Sequence, residues 1–214
     1  MSDFLVQDGQ TYLFQGDSIT DAGRRAAAAP FGTGYAKLLI DLATANCPDR
    51  QIAWINKGIG GNRVTDLFDR WTDDAIRFQP DWVSILVGIN DLHSMLRGTE
   101  PNVPVGLYRD KYDAILTRLE AETDAQALLI DPFYISADTR GDSFRAVVLE
   151  TIPDYIAVVH ELAEARGCRH IAMHDIFAEH LKHREPDFYC AEPVHPGPSG
   201  HMAIANAMMK ALTE

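Results

Sequence analysis

The sequence predicts an α/β fold in which a parallel sheet of five strands is covered by helices on both faces. Short apolar runs bounded by polar or glycine-containing turns recur along the chain, as expected of strands that are buried on both faces. Between them lie segments whose apolar residues recur at helical spacing, and alternating strands and helices produce a parallel sheet. Ligands bind such sheets at the carboxyl ends of the strands, so functional residues are expected there.

Each predicted strand is a short apolar run that ends in a turn. The five runs, in chain order, are residues 10–14, 51–56, 82–87, 127–133 and 170–173. The first three are each followed directly by a segment rich in glycine, asparagine or aspartate, residues that favour turns. These three strand ends are therefore the first places to look for chemistry.

The predicted helices occupy residues 64–76, 105–119, 143–166 and 199–212. The third should end at Gly167, a suitable helix stop, and Pro153 should kink or split it because proline lacks a backbone donor. Residues 22–33 are assigned to a loop over the site. No repeat or linker divides the chain, so residues 1–214 are expected to form a single domain of ordinary size.

Composition and charge exclude several classes of protein. A formal net charge of −12 disfavours nucleic acid or an anionic membrane as the main partner, since both attract a positive face. Three scattered cysteines without a C-x-x-C pair predict free structural thiols. With no basic region preceding an apolar stretch at the N-terminus, and no apolar run long enough for a bilayer, we expect a cytoplasmic protein without a membrane anchor.

Four short segments, far apart in the chain, could together form one esterase site. They are residues 14–20 (FQGDSIT), 56–62 (NKGIGGN), 88–91 (GIND) and 192–196 (EPVHP). Acyl transfer needs an activated hydroxyl group and amide donors that stabilise an oxyanion, and these segments contain both. The first three directly follow predicted strands, and the last carries a histidine with a carboxylate three residues before it, so the four indicate a common site.

Ser18 is the candidate nucleophile because it follows the first strand closely. A serine at such a position, taken alone, is more often a helix N-cap. The chain repeats the Gly-Asp-Ser triplet at residues 141–143, but Ser143 follows a polar loop and is interpreted as an N-cap. Neither triplet fits the G-x-S-x-G elbow of α/β-hydrolases.

His195 is the candidate general base. Pro193 and Pro196 stiffen its loop, and residues 197–200 lead into the last predicted helix, so the imidazole could lean over the sheet edge toward Ser18. Glycine and proline at these places favour a turn over regular structure.

Glu192 is the candidate acid that orients His195. Its carboxylate would accept a hydrogen bond from the far ring nitrogen, which sets the tautomer and stabilises the imidazolium. An exposed loop glutamate is ordinary, and Asp187 or a backbone carbonyl could take the same role.

Gly61 and Asn90 are candidate oxyanion donors, together with the backbone N–H of Ser18. A glycine lets its N–H approach a substrate closely, and the Asn90 side chain offers an amide. A dinucleotide fingerprint fails because Arg63 stands where a third glycine belongs. Asp91 is expected to hold its loop rather than react.

No metal is expected at the site. Several histidines have loose spacings, but no H-E-x-x-H motif or cysteine partner accompanies them. They are His174, His180, His183 and His201.

Ser18, Gly61, Asn90 and His195 resemble, in order and context, the four residues that characterise the SGNH or GDSL hydrolase family. Residues 16–20 are similar to its first block, with isoleucine in place of leucine. The resemblance covers nearly the whole chain. It implies a three-layer, flavodoxin-like α/β/α sandwich, hydrolysis of a small-molecule carboxylic ester through an acyl-enzyme, and no cofactor.

Residues 58–71 and 79–91 look most like the bacterial subgroup that includes acetylxylan esterases. This implies small acyl groups on sugars, and it favours a homo-oligomer because oligomers are frequent among such relatives. The chain departs from the family at Glu192, where the last block normally has aspartate. Both a Ser–His–Glu triad and a Ser–His dyad therefore remain open.

The main functional hypothesis is a serine esterase that hydrolyses short acyl esters, acetyl esters above all, of carbohydrates. One alternative is a lysophospholipase or thioesterase for longer acyl chains, with an apolar groove lined by residues 22–31 and 92–105. A second alternative, from another class, is a catalytically silent carbohydrate-binding protein.

Overall fold

The computed structural model describes residues 4–213 of the chain. A five-stranded sheet lies at its centre, every neighbouring pair is parallel, and the strand order is β2-β1-β3-β4-β5. The strands are β1 (Thr11–Gly16), β2 (Ala53–Asn56), β3 (Trp82–Leu86), β4 (Gln126–Ile130) and β5 (Arg169–Ile171). The predicted α/β fold with five parallel strands is confirmed, although the last predicted strand ends before Met173, which begins a helix.

Helices cover both faces of the sheet. They are α1 (Ser18–Asp21), α2 (Tyr35–Asn46), α3 (Val64–Asp74), α4 (Ile89–Arg97), α5 (Val105–Glu122), α6 (Phe144–Arg166), α7 (Met173–His180) and α8 (Pro198–Ala211). Helices α2 and α8 pack together, whereas α3 packs on α5, and both α5 and α4 pack on α6. Strand β2 lies on one side of β1, and β3, β4 and β5 follow one another on the other side. Because crossovers between parallel strands are right-handed, this change of side after β2 moves the next helices to the opposite face of the sheet.

This change of side also positions the site. The chain leaves β1 toward one side of the sheet and leaves β3 toward the other, so a crevice opens between their carboxyl ends. Ser18 follows β1 and Asn90 follows β3, while Gly61 lies in the loop that follows β2 on the other side of β1.

The sequence analysis missed α2, α4 and α7. Buried residues of α2 do recur at helical spacing, but its N-cap is Gly34, which has no side chain to signal a helix start. Helix α4 likewise begins after Gly88, with no side-chain cap. The segment at residues 88–91 is therefore the first turn of a helix and not only a loop.

Pro153 does not split α6, which runs as one helix over 23 residues. Proline removes the N–H that would bond to the carbonyl four residues earlier. Pro153 is exposed to solvent, where water can satisfy that carbonyl, while Ile152 and Tyr155 anchor the helix in the core on either side. Packing of the buried face therefore outweighs the loss of one hydrogen bond.

The core contains the largest side chains and confirms the predicted free thiols. Trp71 and Trp82 are both buried and pack among the apolar residues of the sheet and helices. Cys47, Cys168 and Cys190 are free thiols. Among the helices formed by residues 4–213, none is long and apolar enough to cross a membrane.

Candidate active site

The structure brings Ser18 and His195 together. The hydroxyl oxygen of Ser18 lies 2.7 Å from Nε2 of His195, although the two residues are 177 positions apart in the chain. Ser18 is half-buried at the first position of α1, and His195 is exposed in the loop before α8. The two side chains therefore meet where the crevice opens to solvent.

The Gly-Asp-Ser triplet forms a tight turn from β1 into α1. A Cβ atom at Gly16 would collide with the Thr20 side chain and the Leu86 carbonyl, so only glycine fits. Asp17 is the N-cap of α1, and its Oδ1 accepts a hydrogen bond of 2.9 Å from the Ile19 backbone N–H. The local sequence thus presents the Ser18 hydroxyl at the rim of the sheet.

Glu192 contacts His195 through both the ring and the backbone. Its Oε1 accepts from Nδ1 of His195 at 2.5 Å and from the His195 backbone N–H at 2.7 Å. Its Oε2 accepts from the Val194 N–H at 3.1 Å. With the ring proton on Nδ1, Nε2 presents its lone pair to the Ser18 hydroxyl.

These contacts also keep Glu192 ionised. Partial burial alone would raise the pKa of this carboxyl, but the N–H donors of Val194 and His195 and the nearby imidazole together lower it below its ordinary value. A carboxylate beside Nδ1 is the charge that stabilises a protonated imidazole.

The loop that contains His195 is tied to the rest of the fold at two places. The Pro193 carbonyl accepts a 2.8 Å hydrogen bond from the Ile135 N–H, which belongs to the segment after β4. The Tyr189 carbonyl accepts a 2.6 Å hydrogen bond from the Gly197 N–H. Gly200 packs so closely against Tyr189 and Pro196 that a side chain would collide. The imidazole is therefore held by a braced loop.

Gly61 lies in a β-turn beside the serine. The Asn62 N–H donates to the Ile59 carbonyl at 3.1 Å, and Gly61, at the third position of the turn, has φ +81°. This positive φ favours glycine. A Cβ atom at Gly60 would lie 3.8 Å from Cβ of Ser18, so the turn passes directly over the serine.

The backbone donors at this place are free to bind a substrate. Within residues 4–213, neither the Ser18 nor the Gly61 N–H has a hydrogen-bond acceptor. The Gly60 N–H, in contrast, donates to Oδ2 of Asp21 at 3.2 Å, and this bond holds the turn. Two unpaired N–H groups beside an activated hydroxyl can stabilise a negatively charged oxygen.

The Asn90 amide reaches the same place from β3. Its Nδ2 donates to the Asn62 carbonyl at 3.1 Å and lies 3.5 Å from Oδ2 of Asp17. The short bond sets the plane of the amide, while the second N–H makes only the longer contact. A substrate oxygen that replaced the longer contact with Asp17 would make Asn90 a third donor.

Two buried aspartates support these loops, and the sequence analysis did not assign Asp17 any role. Burial raises the pKa of Asp17 to about 7, although the Ile19 N–H and the positive field of His195 lower it. Burial likewise raises the pKa of Asp91 to about 7, against the hydrogen bond from the Val64 N–H. Asp91 ties the start of α4 to the start of α3 through this 2.9 Å bond, in agreement with a loop-holding role. Asp17 comes directly after β1, and Asp91 follows β3 by five residues, so an acidic residue close behind a buried strand was the available signal.

The raised pKa of Asp91 predicts a pH-dependent stability. Between about pH 4, where the carboxyl ionises in the unfolded chain, and about pH 7, the folded state retains the proton. The unfolding free energy of the native protein should therefore fall, relative to Asp91→Asn, by up to about 1.4 kcal/mol per pH unit as pH rises through this window. Urea unfolding of both proteins at a series of pH values measures the difference. Asp142→Asn, at an exposed carboxyl, should show no such slope, and a pH-independent difference for Asp91→Asn would contradict the burial argument.

A cavity of about 450 Å³ lies beside the serine. The lining residues are Ser18, Asp21, Ala22, Gly23, Arg25, Ala26 and Gly60. Nε of Arg25 pairs with Oδ2 of Asp21 at 2.8 Å. The wall therefore consists of small side chains and one ion pair. The loop expected over the site thus supplies this wall, but Leu92 and Val103 are buried in the core and do not line it.

The structure keeps the other candidates apart from this site. Ser143 is the N-cap of α6, and its Oγ accepts from the Ala146 N–H at 3.0 Å. Asp187 lies in a short 3₁₀ helix and makes no hydrogen bond or ion pair with His195 in the described chain. Of the alternatives for orienting His195, only Glu192 is in contact with the ring.

Comparisons with known proteins agree with one another. The model of the GDSL-like Lipase/Acylhydrolase family matches residues 14–203. A curated acetylxylan esterase of Geobacillus stearothermophilus is 36% identical over 216 residues, which cover 96% of this chain and 94% of that protein.

Solved structures show the same similarity. The crystal structure of Axe2, an acetylxylan esterase from Geobacillus stearothermophilus, has a TM-score of 0.87 and 33% identity, with coverage of 97% of this chain and 96% of Axe2. LAE5, an alpha/beta hydrolase from the metagenome of Lake Arreo, has a TM-score of 0.87 and 27% identity, with 98% of both chains covered. Other matching Axe2 structures are of catalytic mutants in which a serine, an aspartate or a histidine is replaced by alanine, the aspartate lying three residues before the histidine.

Proposed function

We propose, from the premise that this chain belongs to the GDSL-like lipase/acylhydrolase family and is a carboxylic ester hydrolase, that its substrates are short acyl esters of carbohydrates, acetyl esters above all. The observation that carries the proposal is the hydrogen-bonded chain from Ser18 through His195 to Glu192 beside a cavity lined mainly by small residues. The similarity to an acetylxylan esterase over nearly the full length supports the acetyl-carbohydrate class.

In the proposed mechanism, Ser18 attacks the ester carbonyl while Nε2 of His195 takes its proton. The 2.7 Å contact between these atoms supports direct transfer. The N–H groups of Ser18 and Gly61 and the Asn90 amide stabilise the oxyanion. The protonated imidazole then gives its proton to the leaving alcohol, which departs and leaves an acyl group on Ser18.

Water completes the cycle. His195 deprotonates a water molecule, which attacks the acyl-enzyme through a second oxyanion held by the same donors. The acid leaves, and the proton returns to Ser18. Each proton transfer passes through His195, so no step requires a cofactor.

Glu192 is proposed as the acid that orients His195. Its contact with Nδ1 and its lowered pKa support this role, because they hold one ring orientation and balance the positive charge that forms during the reaction. The spacing is the one between the aspartate and histidine replaced in the Axe2 catalytic mutants. The longer glutamate reaches the ring within the same three-residue interval, which supports a triad over a dyad.

The cavity supports a small acyl group. Its wall of alanine and glycine, with the Arg25–Asp21 ion pair, lacks the large apolar side chains that would hold a long hydrocarbon chain. The groove expected for a lysophospholipase or thioesterase would need apolar residues from 92–105, and Leu92 and Val103 are instead packed in the core. We propose that a single domain over residues 1–214 carries this activity, whereas a homo-oligomer and a cytoplasmic location stay predictions.

A kinetic series tests the substrate. The value of kcat/KM for p-nitrophenyl esters should be highest for acetate and fall by about tenfold or more by the octanoate ester, because one missing or extra methylene in a pocket changes discrimination by roughly tenfold or more. The ratio of the enzymatic to the uncatalysed rate of deacetylation should be higher for acetylated xylo-oligosaccharides than for p-nitrophenyl acetate, since binding of the sugar adds to transition-state stabilisation. Ser18→Ala is the matched blank for both assays. A maximum at octanoate or longer esters would reject the short-acyl proposal in favour of the alternative.

A further inference from the structure

Asp131, His160 and His170 form the one group within residues 4–213 in which at least three potential metal-ligating side chains converge. Asp131 follows β4 directly, His160 lies on α6 and His170 lies in β5. Nε2 of His170 is 2.7 Å from Oδ1 of Asp131, and Nε2 of His160 is 3.1 Å from Oδ2. The three ligand atoms all lie within 4.8 Å of one another.

The charge at this place needs a partner. The Asp131 side chain is only 1% exposed, and its ion-pair partners in the described chain are the two imidazoles. A buried carboxylate is costly unless a positive charge compensates for it. The centroids of the His160 and His170 rings are 4.2 Å apart, so both rings lie beside the same carboxylate.

We propose that Asp131, His160 and His170 bind one divalent transition-metal ion such as Zn²⁺. Two neutral imidazole nitrogens and one carboxylate oxygen form a donor set that suits zinc and its neighbours. The ion takes the place of the Nε2 protons and brings the positive charge that Asp131 lacks.

The geometry is compatible with such an ion. Zinc–ligand bonds of about 2.0–2.2 Å place tetrahedral ligand atoms about 3.3 Å apart. The observed distances run to different oxygens of Asp131, 2.7 Å from Oδ1 to Nε2 of His170 and 3.1 Å from Oδ2 to Nε2 of His160. Because the ligand atoms lie within 4.8 Å of one another, rotations of the carboxylate and of the exposed His160 ring can bring one oxygen and both nitrogens to this spacing. A cavity of about 430 Å³ beside the rings, lined in part by Glu164 and Cys168, gives solvent access to the fourth coordination position.

This metal would act on stability and not on ester hydrolysis. Its ligands connect α6 to β4 and β5, so the ion would clamp a helix to one edge of the sheet. No hydrogen bond or ion pair in residues 4–213 joins any of the three ligands to Ser18, Glu192 or His195. The expectation that the active site holds no metal is separate from this proposal, because it concerned other histidines.

The test uses the full chain after treatment with EDTA. Titration with Zn²⁺ should show one saturable equivalent by calorimetry, and Co²⁺ in its place should give visible absorption bands of a low-symmetry site. Zn²⁺ at about 100 times its Kd should raise the Tm by about 5–10 °C, because the ion binds only the folded state.

Variants separate this site from adventitious binding. His160→Ala removes a side chain that is 46% exposed, so the fold should persist while Zn²⁺ affinity falls at least about 10²-fold. His183→Ala, at an exposed histidine outside the cluster, is the matched control and should bind one Zn²⁺ like the native chain. Absence of a saturable equivalent in the native chain, or equal affinity of the two variants, would overturn the proposal.

Discussion

Replacing Ser18 by alanine should lower kcat/KM for p-nitrophenyl acetate by at least about 10⁴-fold. The variant loses the hydroxyl that lies 2.7 Å from Nε2 of His195, and no acyl-enzyme can form. The remaining oxyanion donors would leave only a small rate above the uncatalysed reaction. Steady-state kinetics measures the loss, and labelling by a fluorophosphonate probe should disappear with it because labelling needs an activated hydroxyl.

The chain contains its own control for this variant. Ser143→Ala changes the second Gly-Asp-Ser triplet, whose serine caps α6 and lies outside the site. It should keep native kcat/KM while losing about 1 kcal/mol of unfolding free energy, the usual cost of removing an N-cap. An active Ser18→Ala variant, or an inactive but folded Ser143→Ala variant, would refute the assignment of the nucleophile.

Replacing Glu192 by glutamine should lower kcat about 10³-fold if Glu192 orients His195. The carboxylate accepts three N–H groups, two on Oε1 and one on Oε2. A glutamine has only one acceptor oxygen, so its amide must point N–H groups at either Val194 or the His195 ring. Both placements disturb the ring, and both remove the charge that balances the imidazolium. The KM for small esters should change little, because Glu192 does not line the cavity.

Asp187→Asn is the matched control, since it removes a nearby exposed carboxylate that does not contact His195. It should leave kcat within about twofold of the native value, as surface substitutions usually do. Correct folding of Glu192→Gln is checked by its thermal unfolding midpoint. An unchanged kcat for Glu192→Gln would assign the orienting role elsewhere and leave a Ser–His dyad as the working mechanism.

Local patterns in the chain were sufficient for much of the fold. Five apolar runs located the five strands, because burial on both faces leaves a continuous apolar segment that needs no tertiary information. Helix starts were harder, and α2, α4 and α7 were missed since Gly34, Gly88 and Ala172 provide no side-chain cap. The break predicted at Pro153 was wrong, because only the packed structure shows that this residue lies on the solvent side of α6.

The sequence by itself determined the α/β order of elements and the residue types at each strand end, because strand burial and turn chemistry act over a few neighbouring residues. Only the tertiary structure decided that Ser18 meets His195, that Glu192 and not Asp187 contacts the ring, and that the Gly61 N–H is free. The physical reason is that distances between remote residues depend on strand order and loop path, which no short spacing encodes. The same reason hid Asp131, His160 and His170, whose positions along the chain resemble no metal motif although their ligand atoms converge.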